Sequence, residues 1–68
     1  MTWKKVGDIA ADPDLFALPF RIGYRGREEW ECIGFTKSMT KVKVARLTSD
    51  LRQINLYLDP DTWVEIRQ

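Results

Sequence analysis

Apolar and polar residues alternate with a period of two along much of this chain, and that alternation predicts strands. Phe20, Ile22 and Tyr24 alternate with Arg21, Gly23 and Arg25, the signature of a half-buried extended segment. Residues 25–28 contain Gly26 and can reverse the chain into a second strand over 29–36. There Ile33 and Phe35 share one face, while Trp30, Cys32 and Gly34 share the other. A glycine inside a strand marks a bulge or a close backbone approach. Residues 37–40 read as the next turn. The third strand runs from Lys41 to about Leu47, with Val42 and Val44 inward and Lys41 and Lys43 outward. Leu47 falls on the lysine side, so a bulge near Ala45 and Arg46 is expected to restore the phase. Ile54, Leu56 and Leu58 alternate with Asn55 and Tyr57, and Val64 and Ile66 alternate with Trp63 and Glu65. The turn at 59–62 is expected to join these last two runs as a hairpin. A sixth extended piece fits residues 3–9.

The tripeptide Asp-Pro-Asp occurs twice, at 12–14 and 59–61. Asp12 can cap a short helical turn over 12–18, with Pro13 at its first position and Pro19 ending it. Asp59, Pro60, Asp61 and Thr62 suit a β-turn, since Pro60 supplies a fixed φ. One segment reads two ways. Ser49 can cap a helix that places Leu51, Ile54 and Leu58 on one face, but residues 54–58 are better strand material and the turn that follows suits a hairpin.

Five to six short strands in one domain spanning 1–68 predict a mainly β fold, a small antiparallel barrel or a strongly bent sheet. A helix at about 49–58 would make it α+β instead. Closure removes the exposed edges that a small flat sheet cannot protect. In strand count and size alone, this architecture resembles the SH3-like and OB-like small barrels.

Composition narrows the picture further. The chain has 68 residues, 44% hydrophobic and 31% charged, with a mean hydropathy of -0.36, a mixture that folds rather than stays disordered. So short a chain buries only about 60% of the surface it exposes when unfolded. Three Trp, three Phe and two Tyr supply the bulk for a lean core. Cys32 is the only cysteine, so no internal disulfide forms and a reducing, cytoplasmic setting is expected. Acidic residues at 8, 12 and 14 interrupt any secretory signal, and no apolar run reaches the roughly 18 residues of a membrane span. Eleven Lys and Arg against ten Asp and Glu give a net charge of +1, too balanced for a nucleic-acid binder recognised by bulk charge.

The same inventory removes most routes to catalysis. There is no histidine, so nucleophile–histidine pairs cannot be built, and a structural zinc site lacks its preferred ligands. No cofactor is expected. Residues 38–41 spell S-x-x-K, but in a turn entering a strand, without the helix and companion motifs of serine acyl-transferases. Glu28, Glu29 and Glu31 cluster where a solvated hairpin end is expected. The four glycines are dispersed and form no phosphate loop. Cys32 reads as a spectator thiol.

What remains is the outward face. If Phe20, Ile22, Ile33, Phe35, Val42 and Val44 point inward, then Arg21, Arg25, Trp30, Lys41 and Lys43 point outward, joined on the last hairpin by Asn55, Tyr57 and Trp63. Aromatics among cations suit a protein interface, where Trp, Tyr and Arg dominate the energetics. They also suit single-stranded nucleic acid, whose bases stack on such rings, while a one-residue slip in register would instead make Trp30 part of the core. The candidate binding residues are therefore Arg21, Arg25, Trp30, Lys41, Lys43, Tyr57 and Trp63, on a non-enzymatic module whose expected partner is another protein. Nucleic acid is the alternative. No membrane partner is expected, and an unclosed edge leaves a homo-oligomer open.

Overall fold

The computed structural model describes residues 2–23 and 26–66. The chain runs β1 (Thr2–Lys5), α1 (Val6–Ala11), α2 (Pro13–Phe16), β2 (Phe20–Ile22), β3 (Glu31–Phe35), β4 (Val42–Leu47), β5 (Gln53–Leu58) and β6 (Trp63–Ile66). The strands form two antiparallel three-stranded sheets, in the orders β1-β6-β2 and β3-β4-β5. Among the described residues, an isolated antiparallel bridge between Phe20 and Trp30 joins them. The fold is mainly β, as the alternation predicts, but among the described residues the strands do not close into a barrel.

One core lies between the sheets. Val6 and Ile9 of α1, Phe20, Trp30, Cys32, Val42, Val44, Val64 and Ile66 form it, and Ala10, Leu15, Phe16, Leu18, Ile22, Phe35, Ile54 and Leu58 pack around it. Burying each such Val or Ile contributes about 1.5–3 kcal/mol. Apart from Cys32, no polar residue is buried as a whole among the described residues, although the Nε atoms of Arg21 and Arg46 are shielded from solvent.

The N-terminal segment departs from expectation after Lys5. Only Thr2–Lys5 is extended, and Val6–Ala11 is helical. Val6, Ile9 and Ala10 stand at i, i+3 and i+4, so a single helical face meets the core. Two of the N–H groups that a helix start leaves unpaired are satisfied from outside. Val6 N–H donates to the Thr62 carbonyl at 2.8 Å and Gly7 N–H to the Pro60 carbonyl at 2.9 Å.

Both Asp-Pro-Asp tripeptides use the same local chemistry. The Asp12 carboxylate accepts from Asp14 N–H at 2.9 Å and the Asp59 carboxylate from Asp61 N–H at 3.0 Å. The first continues into α2, with Pro13 in its first turn. The second closes a turn through Thr62 N–H to the Asp59 carbonyl at 2.9 Å. That turn does not make the expected hairpin, because β5 pairs with β4 while β6 pairs with β1 and β2. It is a corner between sheets.

The helix considered over 49–58 does not form. Thr48 N–H donates to the Arg52 carbonyl at 2.8 Å and Leu51 N–H to the Thr48 carbonyl at 3.0 Å, turning the chain into strand β5. The bulge expected near Ala45 is also absent, since β4 and β5 pair without interruption from Val42–Leu58 to Leu47–Gln53. Leu47 simply faces solvent. The irregularity lies in β3 instead, where the register against β4 shifts between Cys32 and Gly34. Gly34 has φ +140°, a conformation that side chains rarely adopt.

Candidate functional site

The bulge in β3 decides which aromatics are available for binding. Before it, Trp30 and Cys32 point into the core. The extra residue, Ile33, is turned out to 48% exposure, and Phe35 returns to pack against the core. The period-two reading placed Ile33 inward and Trp30 outward, and both are corrected, because one inserted residue exchanges the faces on either side of it. Trp30 is only 8% exposed. The Arg46 guanidinium lies 5.3 Å from its ring centroid, covering the ring from the β4 side.

The other candidate residues separate onto different surfaces. Lys43 and Tyr57 stand directly opposite each other on β4 and β5, on the outer face of that sheet, with Tyr57 60% exposed. Lys41 precedes β4 and reaches Asp59 at 3.9 Å. Arg21 and Trp63 lie on the other sheet, and Arg25 lies outside the described residues. The expected contiguous patch of Arg21, Trp30, Lys41 and Lys43 does not form.

A different cluster does. On the outer face of β1-β6-β2, Trp3 stands opposite Glu65, Glu65 opposite Arg21, and Lys5 opposite Trp63. Residues directly paired across antiparallel strands share a face, so Trp3, Lys5, Arg21, Trp63 and Glu65 form one patch. Val64, Ile66 and Phe20 are buried beneath it. Trp63 is 55% exposed and Trp3 37%, and the two are diagonal neighbours. The Lys5 ammonium lies 5.7 Å from the centroid of the Trp63 ring and 3.7 Å from the Asp61 carboxylate. An exposed pair of this kind is worth about 0–1 kcal/mol, so it orients Lys5 rather than stabilising the fold. The Arg21 Nε is shielded from solvent and has no hydrogen-bond partner among the described residues.

Trp3 and Lys5 were missing from the sequence-derived set. Their alternation spans only four residues before the helix begins, too short to assign a face without knowing that β6 lies alongside.

The outer face of β3-β4-β5 carries a groove of about 290 Å³ lined by Glu29, Glu31, Ile33, Ala45, Arg46, Leu47 and Gln53. It brings two carboxylates to one place, but in an open furrow rather than an enclosed pocket. Residues 38–41 lie in an exposed turn, where the Ser38 and Thr40 hydroxyls are 2.7 Å apart. The Cys32 thiol is buried, and burial raises its pKa, only partly offset by the hydrogen bond from Gly34 N–H. It is held as the unreactive thiol at neutral pH. No helix among the described residues is long and apolar enough to cross a membrane. Comparison with protein families, with curated proteins and with solved structures finds no match.

Proposed function

We propose that this chain is a non-enzymatic binding module that engages another protein through the outer face of β1-β6-β2. The observation that carries this is the placement of two partly exposed indoles, Trp3 and Trp63, on one sheet face, flanked by Lys5 and Arg21. Indoles supply large contact area at low conformational cost and are enriched among the residues that dominate interface energetics. A sheet holds them in place before the partner arrives, which lowers the ordering cost of binding.

Single-stranded nucleic acid is the second reading, favoured by the same alternation of aromatic and cationic side chains. Two observations weigh against it. Glu65 sits between Trp3 and Arg21, and Asp61 engages Lys5. Both carboxylates would face a phosphate backbone, whereas a protein partner uses mixed charge for register and specificity.

The test is affinity capture from cell extract on the immobilised chain, followed by titration of any retained protein against a Trp3→Ser, Trp63→Ser double variant of matching circular dichroism. Loss of two central anchors should weaken binding by about 30-fold or more. A partner that binds the variant equally well sinks the proposal. Retention abolished by nuclease, with steep salt dependence for a labelled oligonucleotide, transfers the face to nucleic acid.

A further inference from the structure

The β5 edge poses a separate question. β5 is the last strand of its sheet, with β4 on one side and no strand on the other among the described residues. Exposed edges are ordinarily blunted by lysine, proline, a bulge or short length. Gln53-Ile54-Asn55-Leu56-Tyr57-Leu58 has none of these protections: it is six residues long, uncharged, free of proline and glycine, and in unbroken register with β4.

The backbone directions follow from the adjoining turn. Thr48 N–H donates to the Arg52 carbonyl, which makes Thr48 and Arg52 a hydrogen-bonded pair. Such pairs recur at every second position of an antiparallel ladder. The continuous register carries them on to Arg46–Ile54, Val44–Leu56 and Val42–Leu58. The N–H and C=O groups of Gln53, Asn55 and Tyr57 therefore point away from β4, toward the open edge.

We propose that the β5 edge pairs with the β5 edge of a second copy of this chain, antiparallel, about a two-fold axis through Asn55. In this register Asn55 faces its own symmetry mate and Gln53 faces Tyr57 of the other copy. All three outward-pointing residues of each chain find partners, and three pairs exchanging two bonds each give six hydrogen bonds. Moving the axis one position along the strand leaves one of the three unmatched.

Charge selects the same occupant. The strand has no charge of its own, and each end carries a neutralised pair, Arg52 with Asp50 at 3.3 Å and Lys41 with Asp59 at 3.9 Å. A second copy therefore meets no like charge along the whole edge. The side chains bring no charge to the axis, where Asn55, its Oδ1 already accepting from Gln53 Nε2 at 2.8 Å within the strand, faces its mate, and the Tyr57 ring lies over the Gln53 stem. The Trp3–Trp63 face lies on the other sheet, so this pairing stands or falls separately from the binding face.

The test is solution mass by sedimentation equilibrium across a concentration series. The wild-type chain should approach twice its 8.0 kDa. Asn55→Lys sets two ammonium groups against each other at the axis and should return the mass to that of one chain, as should Asn55→Asp. Mixing the two variants should restore the doubled mass, a rescue that general loss of stability cannot produce. Asn55→Pro should fold, because the N–H it removes points to the open edge, and should also stay single. A wild-type chain that remains single at every concentration overturns the proposal. So does a doubled mass that persists in Asn55→Lys, or a variant mixture that fails to re-associate.

Discussion

Phe20 and Trp30 exchange both of their backbone hydrogen bonds, Phe20 N–H to the Trp30 carbonyl at 3.1 Å and Trp30 N–H to the Phe20 carbonyl at 2.8 Å. This one bridge links β2 to the start of β3 and so ties the two sheets together, with both aromatic side chains buried in the shared core. It makes Trp30 structural, whereas Trp3 and Trp63 keep part of their rings at the surface.

The three tryptophans should therefore respond differently to truncation. Trp30→Ala should cost about 3–5 kcal/mol, the range for removing a buried large aromatic, a large share of a small domain's total stability. Trp63→Ala, at an exposed position, should stay within about 0.5 kcal/mol. Urea denaturation followed by circular dichroism separates the two. Comparable losses at both positions would mean that Trp63 is also built into the core.

Gly7 is fixed by close approach. A Cβ placed there would lie 2.8 Å from the Pro60 Cβ and 3.0 Å from the Pro60 carbonyl oxygen, and that carbonyl accepts the Gly7 N–H. Gly7→Ala should push α1 off the corner between the sheets and cost about 1–3 kcal/mol, as overpacking does. Gly34→Ala meets no neighbour within 4 Å, so any loss there comes from backbone strain at φ +140° alone, about 1–3 kcal/mol. Pairing Gly7→Ala in a double-mutant cycle with Pro60→Gly, which removes the Cβ that the new methyl would meet, should show coupling, whereas Gly34→Ala with Pro60→Gly should be additive.

Cys32 gives a pH dependence of definite sign. Burial disfavours the thiolate and raises its pKa in the folded chain. The contribution is fully present below the unfolded thiol pKa, where both states are protonated. As pH climbs, the unfolded chain ionises first, and stability falls until the folded pKa is passed. Denaturation midpoints should thus drop on the alkaline side of the ordinary thiol range, and Cys32→Ala should remove that part of the slope. Thiol labelling at neutral pH should be slow until denaturant exposes the residue. Fast labelling of the folded chain would contradict the burial.

Much of the fold was legible from local pattern. The alternation at 42–44, 54–58 and 63–66 placed three strands and most of their buried faces correctly, because a strand with one wet side must alternate. Asp12 and Pro13 announced α2, since capping chemistry acts within a few residues. Gly34 announced an irregularity in β3. Lys43 with Tyr57, and Arg21 with Trp63, were rightly turned outward, although on two surfaces rather than one.

Tertiary structure decided what the pattern left open. Pairing partners are set by contacts distant in sequence, so nothing within 53–66 revealed that β5 and β6 belong to different sheets. The six residues of α1 were too few to show a helical period above the neighbouring strand. Its start is completed by carbonyls of Pro60 and Thr62, more than fifty positions along the chain. Gly34 marked a bulge but not its consequence, because the face to which Trp30 turns depends on which neighbour β3 pairs with and where the extra residue is absorbed. The sequence by itself determined a small, mainly β chain that has no histidine and a single cysteine. Only packing across the two sheets put Trp30 inside and brought Trp3 beside Trp63, since a one-residue register shift costs the pattern nothing locally yet exchanges core and surface.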